Sequence, residues 1–436
     1  MEKISQTLWG GFTIGLILLC GLYFTVKNGF VQLRLPWLLS GKGSGKVGHK
    51  NRLKAVTAAL AASMGTGNIT GCGAAIAAGG AGAVLWMWVS AFLGMAVSFT
   101  ENRLGAEYAL KYPDLPKGPM LYMEKGLGSK TLGKVYALCC LGVAFAMGCM
   151  SQSRAFAESI SECFGDMPTG GAADSFAPQL FGGLLIALLT GAVIFSTKSV
   201  GERVMSVTEK IVPVMGLLYA GGCIVLIARS QSGVGNAFRE IIACAFTPRA
   251  AAGGAVGITV KKAVSVGLRR GVFSNEAGMG SSVLVHCDAD FGSPEKAGAW
   301  AAFEVFLDTI VCCTLTALAV LTSPLYRSKG VCGVTEIFGD SLGKGGEFFA
   351  CLCICAFAWA AVIGWCLYGE KCLKYLSPHS KGKIYRIAFC IAAASGGILN
   401  TGAALGIADI FNWCAMLPNM IVITVLTAVH ESGKQK

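Results

Sequence analysis

Long apolar runs constrain this chain more than any other feature of its sequence. A run of about 17 to 25 apolar residues has the length that crosses a lipid bilayer as a helix. Only 14% of the residues are charged, against roughly 25% in soluble domains. The sequence therefore predicts an all-α membrane protein with about 11 transmembrane helices. The predicted spans are residues 8–27, 56–79, 82–109, 133–158, 178–196, 208–229, 255–286, 297–323, 346–370, 385–401 and 405–428.

The ten spans after the first divide into two sets of five. Because five is odd, the second set runs through the membrane in the opposite direction from the first, an arrangement typical of secondary transporters. The first run, Thr7–Val26, is retained as a span because no small-residue cleavage pattern follows it. The predicted domains are an N-terminal transmembrane helix with a basic cytoplasmic loop (1–54), a first five-helix repeat (55–230), a second, inverted repeat (255–428) and a cytoplasmic tail (429–436).

Basic residues in the short loops predict the orientation. The net charge is +12, and basic residues close to membrane spans lie mainly on the cytoplasmic side. Residues 27–54 include seven lysines and arginines and no acidic residue, whereas residues 159–177 include Glu162, Asp166 and Asp174 and no basic residue. We therefore expect a multi-pass protein of the cell inner (plasma) membrane with its N-terminus outside and its C-terminus in the cytoplasm. Membrane lipid, not nucleic acid, is the expected surrounding partner.

The 19 cysteines do not predict a disulfide scaffold, because most of them lie inside apolar runs, where a thiol behaves as a small hydrophobe. Cys351, Cys353 and Cys355 alternate along one run, which spreads them around a helix, and no histidine accompanies them as in a zinc site. No cofactor is expected, and no catalytic nucleophile or metal-ligand motif indicates an enzyme.

Two spans contain glycine-rich interruptions, of which the first reads Gly-Thr-Gly-Asn at 65–68. Unwound backbone in a membrane is tolerated only where protein, water or a ligand satisfies its polar groups. The half-helix that follows presents free N–H groups, which suit a substrate carboxylate. We expect Thr66, Gly67 and Asn68 to bind substrate, although close helix packing through small residues is an alternative explanation of the glycines.

The second interruption reads Phe-Ser-Asn-Glu-Ala-Gly-Met-Gly at 273–280. A carboxylate inside a membrane is costly unless it faces a cavity or a cation, so Glu276 is expected to hold a substrate ammonium or a coupling ion. A salt bridge to Arg269 or Arg270 is the alternative. Phe273 is expected either to close the site or to pack as an ordinary aromatic. The expected binding residues of this break are Phe273, Ser274, Asn275, Glu276 and Gly278.

Three more polar residues lie inside apolar runs. Glu304 and Asp308 are four residues apart and share one helix face, which indicates either a cation or proton path or two carboxylates neutralised by neighbouring helices. Gln152 is a substrate candidate because a neutral amide reads a polar ligand at a small desolvation cost. His286 is equally well explained as a helix-end residue.

At these residues the sequence resembles the alanine or glycine:cation symporter family, also called sodium:alanine symporters or amino acid carrier proteins. The resemblance covers nearly the whole chain. It rests on Gly65–Asn68, Gly82–Val89, Gly118–Met120, Glu124–Gly128, Ala245–Pro248, Ala251–Gly254, Arg270–Gly278, Phe303–Thr309, Gly364–Trp365 and Tyr368–Lys371.

The resemblance implies a leucine-transporter-type fold with ten core helices in two inverted repeats. It also implies uptake of small neutral amino acids driven by sodium or protons, and it adds Trp365 to the expected pocket. The chain departs from the family pattern at the expected sodium site. The resemblance places a sodium ion near Ala61, Met64, Ala360 and Ala361. Many members of the family carry a serine and a threonine where this chain has two alanines. Loss of two oxygen ligands puts sodium coupling at that position in doubt.

The sequence thus predicts a cation-coupled symporter of the alanine or glycine class that works by alternating access, with Glu276, Glu304 and Asp308 as candidates for cation coupling. A proton-coupled carrier or exchanger of the same substrates is the first alternative. A multi-span membrane enzyme and a passive channel are alternatives from other classes. The sequence leaves the oligomeric state open.

Overall fold

The computed structural model describes residues 7–40, 49–164, 176–196, 199–230, 233–247, 249–250, 257–330, 332–380 and 382–432. Several features used above lie outside these ranges: Lys42, Lys46, Asp166, Asp174, Pro248, Ala251–Gly254 and the end of the tail, 433–436.

The described chain is almost entirely helical. Its helices are α1 (Gly11–Lys27), α2 (Val31–Ser40), α3 (His49–Ser63), α4 (Thr70–Gly79), α5 (Gly82–Lys111), α6 (Pro119–Gly126), α7 (Lys130–Phe145), α8 (Gln152–Phe164), α9 (Phe176–Ile194), α10 (Val200–Arg229), α11 (Val234–Phe246), α12 (Val260–Asn275), α13 (Val283–His286), α14 (Pro294–Val305), α15 (Thr314–Thr322), α16 (Pro324–Lys329), α17 (Val334–Leu342), α18 (Lys344–Leu376), α19 (Lys383–Gly396) and α20 (Thr401–Ser432). Two strands of two residues, β1 (Arg249–Ala250) and β2 (Gly257–Ile258), pair antiparallel.

Within these ranges, seven helices are long and apolar enough to cross a membrane, and the bent pair α1–α2 makes an eighth candidate if its two helices form one span. Two of the seven are continuous through a π-helical segment, Ala146–Ser151 between α7 and α8 and Phe306–Cys313 between α14 and α15. The predicted spans 56–79 and 255–286 are not continuous helices, because each is interrupted at its glycine-rich segment. Span 385–401 corresponds to the 14 residues of α19.

Five helices lie between the predicted spans, where the sequence predicts no helix: α2, α6, α11, α16 and α17. The clearest case is α11, which lies between the two predicted repeats. Its buried residues Ala237, Ile241 and Ala245 recur every four positions, the spacing of one helix face. An apolar run is therefore a poor indicator of such a helix, since only one of its faces is apolar.

The two interrupted segments cross in opposite directions. The half before the first break, α3, packs against α13, which follows the second break. The half after the first break, α4, packs against α12, which precedes the second break. This pairing brings the two breaks to the same depth of the helix bundle.

The helices around the breaks approach closely because small residues lie at their contacts. A Cβ atom added to Gly148 would lie 2.1 Å from Cγ of Trp365, so the indole of α18 rests directly on the π-helical segment before α8. A Cβ atom added to Gly364 would lie 3.0 Å from the backbone nitrogen of Ala62 on α3. Small residues at helix interfaces allow this backbone approach in membrane proteins.

Candidate functional site

The two breaks meet at a buried hydrogen-bonded cluster centred on Asp308. Nδ2 of Asn68 lies 2.7 Å from Oδ1 of Asp308. The Ser274 hydroxyl lies 2.8 Å from Oδ1 of Asn68 and 2.7 Å from Oδ2 of Asp308, one of which accepts its proton. The hydroxyl of Thr309 donates to the same carboxylate at 2.8 Å. Each break therefore contributes one side chain to a single carboxylate.

A second pair of hydrogen bonds fixes the main chain of the first break. Oγ1 of Thr316 lies 2.8 Å from the main-chain oxygen of Asn68, and the hydroxyl of Tyr219 lies 2.7 Å from Oγ1 of Thr316. Sequence reasoning missed Thr309, Thr316 and Tyr219. Hydroxyl residues are ordinary in apolar runs, but the π-helical turn that presents Asp308 is a feature that often marks functional sites.

The first break is hydrogen-bonded to Gln152, the first residue of α8. Both the backbone N–H and the hydroxyl of Thr66 donate to Oε1 of Gln152, at 3.0 and 2.9 Å. The NH2 group of Gln152 donates no hydrogen bond within the described residues. Gly65 leaves space for this contact, because a Cβ atom at that position would lie 2.9 Å from the Gln152 amide and displace it.

The second break turns sharply at Glu276, whose φ of 55° lies in the left-handed region that non-glycine residues rarely adopt. Its carboxylate accepts hydrogen bonds from the Ser281 hydroxyl at 2.6 Å and from Nε1 of Trp365 at 3.1 Å. No ion pair between Glu276 and Arg269 or Arg270 occurs in the described structure. The geometry therefore does not support the alternative that Glu276 forms a salt bridge to one of these arginines.

The remainder of the second break is satisfied by side chains from three other helices. Oε2 of Glu101 accepts from the backbone N–H of Gly280 at 3.1 Å and from Nδ2 of Asn419 at 2.9 Å. Asn419 also donates to the main-chain oxygen of Gly278 at 2.9 Å, and Tyr136 donates to that of Met279 at 2.6 Å. We call Glu101, Asn419 and Tyr136 the frame of the second break. Gly278 is thus held by this frame. Glu101 could have been found as a carboxylate in the middle of an apolar run, whereas Asn419 had no distinguishing signal.

A cavity of about 140 Å³ opens on one side of the breaks. We call it the vestibule. Its walls include Thr66, Gly67 and Phe273, and its rim carries Arg154 and Arg270. The Arg270 guanidinium lies over the Phe273 ring, 5.7 Å from its centroid. The volume is well below the ~300–1,000 Å³ of drug-sized pockets, which suits a small ligand.

A much smaller cavity, about 10 Å³ in volume, lies on the other side of the breaks. We call it the polar cavity. Glu304 lines it together with Glu276, and Oε1 of Glu304 lies 2.7 Å from Nε2 of His286. The hydroxyl residues Ser63, Ser98, Ser281 and Tyr368 also line this cavity. The structure therefore divides the three predicted cation-coupling carboxylates, because Glu276 and Glu304 share this cavity while Asp308 belongs to the cluster with Asn68.

The residues expected around a sodium ion by family resemblance lie at the contact of α3 and α18. Ala61, Ala360 and Ala361 are fully buried, and Met64 is 8% exposed. Methyl groups offer no oxygen ligand, so only main-chain oxygens could contribute at this contact. Asn275, also expected at the substrate site, instead donates to the hydroxyl of Thr309 at 3.3 Å.

Comparison with known proteins identifies the family. The model of the sodium:alanine symporter family matches residues 1–434. The chain belongs to this family. It is 33% identical to the sodium/alanine symporter AgcS of Methanococcus maripaludis over 458 residues, which cover 99% of this chain and 95% of that protein. It is also 33% identical to a protein of Bacillus subtilis named "Probable sodium/glutamine symporter GlnT", over 99% of this chain and 90% of that one.

A solved structure shares the fold. The crystal structure of MhsT in complex with L-phenylalanine matches with a TM-score of 0.60 and 16% identity, over 85% of this chain and 88% of MhsT. The prediction of an all-α, leucine-transporter-type membrane protein is confirmed, while the number of helices and the five-plus-five repeat stay predictions. The family consists of transporters, so the chain is a multi-pass membrane transporter and the alternative of a membrane enzyme is set aside.

Proposed function

We propose that this member of the sodium:alanine symporter family carries a small neutral amino acid, of the alanine or glycine class, together with a cation by alternating access. The observation that carries the proposal is the meeting of two oppositely directed broken helices at Asn68, Ser274 and Asp308, next to the vestibule. Broken helices that cross at one depth are the usual place of substrate and ion binding in such carriers.

In this proposal the substrate carboxylate lies at the first break. The first N–H groups of α4 have no partner within the helix and carry the positive end of its dipole. Gly67 leaves room for close approach, since the position of its missing Cβ is 3.8 Å from the backbone of Ser274. The free NH2 group of Gln152 supplies a further donor. Thr66 and Asn68 then fix the shape of the turn and contact the ligand.

The substrate ammonium lies toward the second break. Main-chain oxygens near Ser274 and the carboxylate of Glu276 are the acceptors available there, while Phe273 and Trp365 limit the space for a side chain. A cramped pocket of this kind favours alanine or glycine. Glutamine is the competing substrate, because one relative carries it in its name.

The vestibule and the polar cavity lie on opposite sides of the breaks. By the distribution of basic residues, the vestibule faces the outside and the polar cavity lies toward the cytoplasm of a cell whose inner membrane holds the protein. The N-terminus is then outside and the C-terminus inside. Exposed apolar side chains such as Leu188 on α9 and Leu217 on α10 face lipid in this arrangement.

The test is uptake of labelled alanine, glycine and glutamine into proteoliposomes of the purified protein. A sodium gradient and a proton gradient are imposed separately, and counterflow without a gradient serves as the control. Accumulation of alanine or glycine driven by sodium supports symport with sodium. Accumulation driven by protons alone, or counterflow alone, supports the proton-coupled carrier or exchanger. Absence of both accumulation and counterflow for all three amino acids contradicts the proposed substrate class.

A further inference from the structure

We propose that the polar cavity between Glu276 and Glu304 is a sodium site, separate from the alanine-lined contact of α3 and α18. The inference rests on the proposed cation coupling and specifies where the ion binds. The first observation is the density of oxygen atoms around a very small space. Two carboxylates and the hydroxyls of Ser63, Ser98 and Tyr368 line a cavity of about 10 Å³. A space of this size holds about one water molecule or one ion of similar size.

The second observation is an unused hydroxyl. Tyr368 is 1% exposed and lines the cavity. Within the described residues, its hydroxyl has no hydrogen-bond partner, and neither has the second carboxylate oxygen of Glu304. Polar groups of buried residues normally have a hydrogen-bond partner. Here both atoms border a cavity, so a bound cation would accept their lone pairs.

Charge favours a cation over a neutral occupant. The cavity is lined by two carboxylates and by no lysine or arginine. Burial of an ionised carboxylate costs several kcal/mol unless an opposite charge offsets it. Nε2 of His286 lies 2.7 Å from Oε1 of Glu304 and so already contacts one of the two carboxylates. The charge that remains on Glu276 matches a monovalent ion.

The ligand chemistry points to a hard alkali ion. The polar groups that line the cavity are carboxylates, hydroxyls and an amide, which suit hard cations, and the remaining lining is aliphatic. No group of three or more histidine, cysteine, aspartate or glutamate side chains that could hold a metal ion is found in the described ranges. A transition-metal site is therefore not indicated. The lining residues come from both predicted repeats: α3, α5, α14, α18 and the second break each contribute one or more. An ion here would therefore contact both repeats.

The decisive variant is Tyr368→Phe. Since the hydroxyl has no protein partner, its removal breaks no hydrogen bond and should be silent unless the hydroxyl binds an ion. We expect the sodium concentration for half-maximal alanine counterflow in proteoliposomes to rise about fivefold, the scale of one neutral polar contact. The alanine dependence at saturating sodium should stay unchanged.

Tyr385→Phe is the matched control. Tyr385 is also buried, on the adjacent α19, and its hydroxyl donates to the main-chain oxygen of Cys366 at 3.1 Å. Its sodium dependence should equal that of the parent protein. Glu304→Gln, which removes a charge from the cavity, should raise the half-maximal sodium concentration by about 10- to 100-fold, because interactions with charged groups are stronger.

Binding of radiolabelled sodium to the detergent-solubilised protein, measured without amino acid, separates this inference from the proposed function. Saturable binding that Tyr368→Phe weakens supports the site even if no amino acid is transported. Unchanged sodium binding in both Tyr368→Phe and folded Glu304→Gln would show that the cavity holds water only and overturn the inference. The same conclusion follows if the parent protein transports alanine with protons and binds no sodium.

Discussion

The two breaks differ in what satisfies their backbone. The first is short, a 3-10 turn at Thr66–Asn68, and it contains no charged residue. The second extends from Glu276 to Ser282, contains a carboxylate, and is held by Glu101, Asn419 and Tyr136. Side chains from other helices satisfy backbone groups of both breaks, but the vestibule borders the first break. In the proposed function, the first break therefore binds the substrate carboxylate and the second break positions Glu276.

The largest expected effect is that of Asn68→Ala, which tests whether the first break is the ligand-binding side. The change removes the amide that bonds Asp308 and the acceptor near Ser274. Loss of one hydrogen bond to the Asp308 carboxylate, at roughly 1.5–3 kcal/mol, and of one contact with the Ser274 hydroxyl, at roughly 0.5–1.5 kcal/mol, corresponds to a decrease of about 30-fold or more in transport. The measurement is alanine uptake and alanine binding in proteoliposomes.

Asn28→Ala is the matched control for this change. Asn28 donates to the hydroxyl of Thr100 at 2.8 Å, away from both breaks, so its uptake should remain near that of the parent protein. Unchanged uptake and binding in well-folded Asn68→Ala would contradict the assignment of the first break.

Glu276→Gln tests the charge that the frame positions. The amide keeps the shape of the carboxylate and an acceptor for Trp365, so the fold should persist. Loss of one charge-assisted interaction should lower transport by about 10- to 30-fold. Uptake at saturating and limiting alanine measures the effect, with Glu107→Gln as control, since Glu107 is half-buried and pairs with Arg103 instead of lying at either break. Equal uptake in both variants would mean that the charge of Glu276 has no part in transport.

Gly67→Ala sharpens the comparison within the first break. The added methyl group meets only ordinary contacts at 3.8–4.0 Å, so the empty protein should fold normally. It would nevertheless occupy space beside the substrate, and crowding of roughly 1–3 kcal/mol raises KM about fivefold or more. Gly65→Ala is the contrasting variant, because its methyl group would displace the amide of Gln152.

For this pair, thermal unfolding and the KM for alanine are both measured. We expect Gly67→Ala to change KM alone and Gly65→Ala to lower stability as well. If the KM of Gly67→Ala equals that of the parent protein, the substrate does not lie beside Gly67.

The smallest effect on transport is expected for Asn419→Ala, which loosens the frame of the second break. Its hydrogen bonds to Glu101 and to the oxygen of Gly278 are lost, which should lower the free energy of unfolding by roughly 1–2 kcal/mol. Asn412→Ala is the control, since Asn412 lies on the same helix, is buried and has no partner within the described residues. Thermal unfolding in detergent should distinguish the two, and equal stability would show that the frame does not depend on Asn419.

Much of the fold and part of the site could be predicted from the sequence. Apolar length predicted the membrane helices, and the glycines together with Asn68 and Glu276 predicted the breaks, because the cost of unwound backbone in hydrocarbon depends on local sequence. The helix α11 could not be found by that criterion. Its buried face has three small or aliphatic residues, and the rest of the segment is too polar to form an apolar run.

Pairing between distant residues is the part that the sequence left open. Glu304 and Asp308 share a helix face, and the sequence predicted for both either one cation or proton path or neutralisation by neighbouring helices. The structure assigns Asp308 to the cluster with Asn68 and Ser274, and Glu304 to the polar cavity with His286 and Glu276. Position along one helix does not reveal which neighbouring helix each turn contacts.

The sequence by itself determined that this chain crosses a membrane, that two of its helices break, and which polar residues lie at the breaks. Those properties follow from hydrophobic length and from backbone freedom at glycine, which act within a few residues. Only the tertiary structure decided that both breaks contact the carboxylate of Asp308, that Gln152 accepts hydrogen bonds from Thr66, and that the Tyr368 hydroxyl borders a cavity. Most of these contacts join residues from about 85 to 300 positions apart, and helix packing alone sets them.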